Sequence, residues 1–167
     1  MAQSGGAGYY SIGDAVFGTS GQFTNLQELP FPARFDAATI FGGQNVYITT
    51  HALSIAGGPT YIRASTITLM PQTINGTVVA ASSSGSFHIY SVSLAFYDLP
   101  PILAAQTGLS YTLNNPSTVA VYVDGNTQLL NTQPLAAGSV FRFDGLLFND
   151  DGTMRTDCGQ VNDGVAE

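Results

Sequence analysis

Lysine and tryptophan are absent from this chain, cysteine occurs once (Cys158), and glutamate occurs only at Glu28 and Glu167. Without lysine there is no Schiff-base nucleophile, no pyridoxal-phosphate anchor and no Walker-type phosphate loop. The cations are all arginines, Arg34, Arg63, Arg142 and Arg155. Charged residues amount to 9%, against about 25% in an average globular domain. One thiol can neither close an internal disulfide nor build a zinc site from this chain alone. No run approaches the ~18 apolar residues of a membrane helix. The opening MAQSGGAGYY has neither the basic nor the apolar region of a secretory signal. The expectation is synthesis in a cytoplasm and no membrane partner. A net charge of −7 repels phosphate backbones and argues against a nucleic-acid partner.

What is present is neutral polarity. Ser, Thr, Asn and Gln together number 49 of the 167 residues, so solubility rests on hydroxyls and amides rather than on ions. That is the composition of an exterior protein made without a secretory signal, and a virus particle fits it. The length calls for one domain, large enough to bury about two-thirds of its unfolded surface without a metal or disulfide staple.

Residues 1–22 are rich in Gly and Ser, with Tyr9 and Tyr10 as large anchors. By composition they form a flexible arm that orders only along a neighbour. In 23–41, Pro30-Phe31-Pro32 forbids a regular helix or a central strand. This stretch reads as an extended connector, with either a short strand at 39–41 or a plain loop. From residue 46 the pattern turns to strands. Segments 46–55 and 61–70 flank Gly57-Gly58-Pro59, which reads as a hairpin connection, and Asn75-Gly76 carries the strongest two-residue turn signal. In 87–97, alternation places His88, Tyr90, Val92, Leu94 and Phe96 on one inward face. Asp98-Leu99-Pro100-Pro101 ends that strand, and 102–106 reads as a short strand or one helical turn. Val119, Val121 and Val123 share a face in 118–124, and Asp124-Gly125 turns the chain into 127–131. In 140–144, Phe141 and Phe143 point inward while Arg142 and Asp144 can pair on the opposite face. The acidic residues 149–167 read as a mobile or partner-ordered tail.

No segment keeps a helical period. Short strands punctuated by turns predict an all-β fold: an antiparallel β-sandwich or jelly roll over 23–148, with an N-terminal arm and a C-terminal tail.

Little of the chain points to catalysis. His51 reads as a polar residue on a half-buried strand and His88 as a hydrogen-bonded core residue. Gly18-Thr19-Ser20-Gly21 sets serine one step off the nucleophile-elbow pattern. The aspartates fall mostly at turns, where they cap backbone groups. Asn149-Asp150-Asp151-Gly152 lacks calcium-loop spacing, and Cys158 beside Asp157 reads as unreactive. No catalytic, cofactor or metal residue is assigned. Tyr9 and Tyr10 are the candidate docking residues. A small β-fold hydrolase would require His51 or His88 to meet a carboxylate and a hydroxyl in a cleft.

Soluble sheet proteins guard their edge strands with lysine, proline or bulges. This chain has few such guards, so its edges read either as covered by neighbouring copies or by its own arm and tail, the reading favoured here, or as protected by neutral Ser, Thr and Asn surfaces within a compact closed sandwich. The stretch Leu113-Asn114-Asn115-Pro116-Ser117, then 119–124, Leu135-Ala136-Ala137-Gly138 and 140–144, looks like part of a β-sandwich surface module. With the Gly/Ser arm and the Thr-rich, lysine-free strands, the chain resembles small virion proteins of tailed bacteriophages, such as capsid decoration (cement) proteins or head-fibre and tail components. The resemblance implies a non-enzymatic, multicopy homo-oligomer, commonly a homotrimer, located in the virion. It implies binding to the major capsid protein or another virion protein for capsid stabilisation. The alternative is a carbohydrate- or receptor-binding module of a fibre or tail.

Overall fold

The computed structural model of the chain describes residues 2–4, 8–11, 14–20, 26–54, 56–57, 60–94, 118–130, 133–150 and 152–163. The fold is all-β. Among the described residues eleven strands run β1 (Ala2–Ser4), β2 (Gly8–Ser11), β3 (Val16–Thr19), β4 (Val46–Ser54), β5 (Thr60–Leu69), β6 (Gln72–Ser84), β7 (Phe87–Leu94), β8 (Thr118–Val123), β9 (Gln128–Leu130), β10 (Val140–Asp150) and β11 (Thr153–Asp163), with a 3-10 turn at Leu26–Glu28.

The strands form two sheets. In the first, β5 is central: β4 lies antiparallel along one side, and β2 and β3 pair parallel with successive parts of the other. In the second, β10 pairs β6, β6 pairs β7, β7 pairs β8, β8 pairs β11, and β11 returns to β10. Those five ladders close a ring, with β9 added outside on β11. The order β10-β6-β7-β8 is that of a Greek key, the fourth strand lying beside the first.

The sandwich expectation stands, since the first sheet packs on the wall of this barrel. The expected antiparallel pairing is corrected. β2–β5, β3–β5, β8–β11 and β9–β11 are parallel, because long crossovers, not hairpins, join those partners.

One core fills the ring. Val78, Val92, Val119, Val121, Phe141, Phe143, Met154, Cys158 and Val161 are all buried there. A second core lies between barrel and sheet, where Ile67 and Leu69 of β5 meet Phe87, Tyr122, Leu146 and Phe148. Strands β8 and β10 therefore bury both faces and read as nearly continuous apolar runs. The connector supplies the filling of the second core: Leu29, Phe31 and Phe35 are buried although no strand forms there. Its prolines prevent ladder pairing and leave the chain extended, so alternate side chains can project inward. Phe31 packs on Tyr122 in a tilted arrangement with centroids 4.7 Å apart, and Phe17 meets Phe35 edge-on at 5.5 Å.

The boundaries at 22 and 148 are also corrected. Residues 1–22 contribute β1, β2 and β3; β2 and β3 pair with β5, and β1 pairs with β2, which composition does not reveal. The supposed tail 149–167 holds the end of β10 and all of β11, the stave that completes the ring.

Asn75-Gly76 is likewise no turn. Both residues are buried in the middle of β6. A Cβ on Gly76 would lie 2.3 Å from the Ser93 carbonyl oxygen, so glycine is required by the close approach of β7. Gly145 plays the same part where β10 crosses β11 at a bulge, 2.1 Å from the Asp157 carbonyl oxygen by the same measure. The hairpin at Gly57 (φ +76°) joins β4 to β5 as expected. The expected features at Phe96, at 98–101, at 102–106 and at 113–117 lie outside the described residues.

Candidate functional site

The outer face of the first sheet meets solvent mainly through hydroxyl and apolar side chains. Register sets its rows. Val16 of β3, Thr66 of β5 and Thr49 of β4 align across the sheet, followed by Gly18, Thr68 and Tyr47. The Thr49 and Thr66 hydroxyls hydrogen-bond at 2.6 Å. Two apolar side chains flank this threonine floor: Val16 is 68% exposed and Tyr47 62%. At one end Arg63 pairs with Asp14, and His51 Nδ1 lies 2.8 Å from the Ser65 hydroxyl. Ser65 is the extra residue of a bulge in β5 that leaves β4 continuous.

Strand β4 bounds this face. Among the described residues nothing pairs with its far side, and its nine residues, VYITTHALS, contain no Asp, Glu, Lys, Arg or Pro. Ile48 stands on the inner face beside the second core and is still 45% exposed. A second neutral edge is the outer half of β6. There Val79, the bulged residue opposite β7, is 50% exposed and the following serines are open. Leu129 and Leu130 of β9 are exposed as well.

Of the candidate docking residues, Tyr9 and Tyr10 fall on β2. Their backbones register with Gln3 and Ala2, and Tyr10 also with Ile62, which places them in this same sheet; their side chains lie outside the described residues. Val16, Tyr47 and Ile48 were not singled out by sequence reasoning. The signal was there: Val46, Tyr47 and Ile48 are consecutive apolar residues, and on an edge strand one face of such a run must meet water.

Both histidines sit on open surface rather than in a cleft. His51 faces Ser65, and His88, expected inward, is exposed and 3.4 Å from the Ser83 hydroxyl. His88 keeps the parity of Tyr90 and Val92, which face the barrel, but it stands at the tip of β7 beside Ser83, where it meets solvent. Asp144, expected to pair with Arg142, accepts a hydrogen bond from Thr73 across the β6–β10 ladder.

Arg155 is held by Asp150 at 2.8 Å, hydrogen-bonds the Tyr122 hydroxyl and lies over the Phe31 ring at 5.5 Å, clamping connector to barrel. Burial in the barrel pushes the Cys158 thiol far above its ordinary range, with the charge of Asp157 a lesser cause. Backbone N–H donation from Ala38, and then Thr39, holds the Asp36 carboxyl below the usual carboxylate value.

A cavity of about 40 Å³ opens at one end of the barrel between Phe41, Ile74, Val119, Leu147 and Met154, an apolar space of water-molecule scale. In small five-stranded Greek-key barrels the outer wall of the second and third strands takes oligonucleotides or oligosaccharides. Here β7 and β8 have that wall sealed by the connector and the first sheet. Among the described residues no group of three or more His, Cys, Asp or Glu gathers to hold a metal ion, and no helix is long and apolar enough to cross a membrane. The surface that emerges is a neutral, partly apolar sheet face with an unpaired edge. No protein-family model matches the chain, and no curated protein sequence matches it.

Proposed function

We propose that this chain is a non-enzymatic virion structural protein, a decoration or cement protein that docks on a capsid lattice and stabilises it. The observation that carries the reading is the outer face of the first sheet, where Val16 and Tyr47 stand exposed on an uncharged threonine floor. Exposed apolar side chains grouped on a neutral surface mark an interaction site. A docked partner gains their burial without stripping water from ions. The N-terminal strand that carries Tyr9 and Tyr10 belongs to the same sheet, which keeps them as candidate docking residues beside this face. Many symmetric copies on a lattice would multiply a modest contact by avidity.

The test is co-sedimentation with undecorated capsids. The wild type binds saturably, and Val16→Ser with Tyr47→Ser lowers the affinity at least tenfold. Undiminished binding by that double variant overturns the assignment of this face. A Tyr9→Ser, Tyr10→Ser variant measures the share of the arm.

The exposed ring of Tyr47 favours a second reading, a carbohydrate- or receptor-binding module, since an aromatic face can stack on a sugar. Binding on a glycan array that is lost with Tyr47→Ser, without binding to capsids, would replace the first reading with this one.

A further inference from the structure

We infer that β4 is a self-pairing edge: two copies of this chain join their β4 strands antiparallel about a two-fold axis, making one continuous sheet. The occupant follows from the strand itself. The edge facing away from β5 is unpaired over its whole length among the described residues, and the strand carries no aspartate, glutamate, lysine, arginine or proline. In a chain of net charge −7, two identical surfaces meet with least repulsion where both are free of charge. The outer half of β6 is neutral too, but beyond the Val79 bulge it offers only alanines and serines, which bury little. On β4 the apolar layer between barrel and sheet stops short. Val46 packs on the second core, while Ile48, on the same face, is left 45% exposed.

Register fixes the arrangement. With Thr50 opposite its symmetry mate, all nine residues pair and each face meets its like. Ile48 then falls opposite Ala52 of the second copy, which is also exposed, and Val46 opposite Ser54. A large side chain meets a small one at both ends, and the inner apolar layer continues across the axis. The contact is isologous and closes at two copies, rather than the three that the phage resemblance implies. This goes beyond the docking proposal. A chain that docks on capsids as single copies would satisfy that reading and refute this one.

The experiment is the mass of the full chain in solution, by light scattering or sedimentation equilibrium at 5 to 100 µM. The wild type is expected at two copies. Ile48→Lys and Ala52→Glu should each run as a single copy with unchanged far-ultraviolet circular dichroism, while Val79→Lys keeps the double mass. An equimolar mixture of I48K and A52E should recover the double mass, because residues 48 and 52 face each other across the axis. A wild type of single-copy mass at 100 µM overturns the inference. So does a mass above two copies, an unchanged mass for folded I48K and A52E, or dissociation by V79K. Failure of the mixture to recover overturns the register.

Discussion

Removing residues 151–167 separates a barrel whose last stave is β11 from one with a dispensable tail. Truncation takes Met154, Cys158 and Val161 out of the ring core, and with them the ladders from β11 to β8, β9 and most of β10. Burial of a Met or Val side chain is worth about 1.5–3 kcal/mol, so Met154 and Val161 alone account for about 3–6 kcal/mol. The exposed flanks of Phe141, Phe143 and Leu147 add to this, as do the backbone groups of β10 left facing an open barrel. A domain is typically stable by about 5–15 kcal/mol in total. The truncated chain is therefore expected to lose its cooperative transition. Thermal melts followed by circular dichroism, with hydrogen exchange of β8 and β10 amides as the local readout, measure this. Because a truncation can fail by aggregation, Val161→Ala serves as the milder form, expected to cost about 1–2.5 kcal/mol as a buried methyl-group deletion with residual cavity. A truncated chain that melts cooperatively at the wild-type temperature, with protected β8 amides, would refute the barrel reasoning.

Gly76→Ala and Gly145→Ala should each destabilise by about 1–3 kcal/mol or more, since the new methyl meets backbone that cannot move aside; Gly125→Ala, with nothing within 4 Å, is the control expected near zero in urea titration. Cys158 should resist a thiol reagent in the native state and react fully in denaturant, because only opening of the barrel exposes and ionises it; rapid native labelling would contradict its placement. The lowered value of Asp36 contributes stability that is present above its unfolded value of 3.8 and lost as pH falls through the folded one. The wild type should thus exceed Asp36→Ala at neutral pH in urea midpoint, with the gap narrowing below about pH 4.

Where side-chain alternation reports burial, the fold was legible. Val119, Val121 and Val123, and Phe141 with Phe143, fell on the predicted side because a strand facing a packed core can place them nowhere else. The arm and tail were misread because their order comes from backbone pairing with distant strands, which composition does not encode. In β11 the buried positions include Thr156, Asp157 and Cys158, so a fully enclosed stave looks polar in sequence. Asn75-Gly76 was misread for a related reason: the same glycine that permits a positive φ also permits two backbones to touch, and only the second use applies here. The candidate site was less legible than the fold. Whether Tyr47 packs or meets solvent depends on which face of the first sheet the barrel covers, a fact of topology rather than of local pattern.

The ring and the first sheet join segments far apart along the chain: Phe141 to Gly76, Tyr122 to Asp157, Val16 to Thr66. Each such closure loses chain entropy before any contact repays it, so a topology of this kind folds in milliseconds to seconds rather than microseconds. During that interval the future staves and the uncharged rim are exposed together, and at high local concentration a nascent chain chooses between completing itself and grasping a sibling. The yield of correctly folded material should therefore fall with expression rate and recover at lower temperature and slower synthesis.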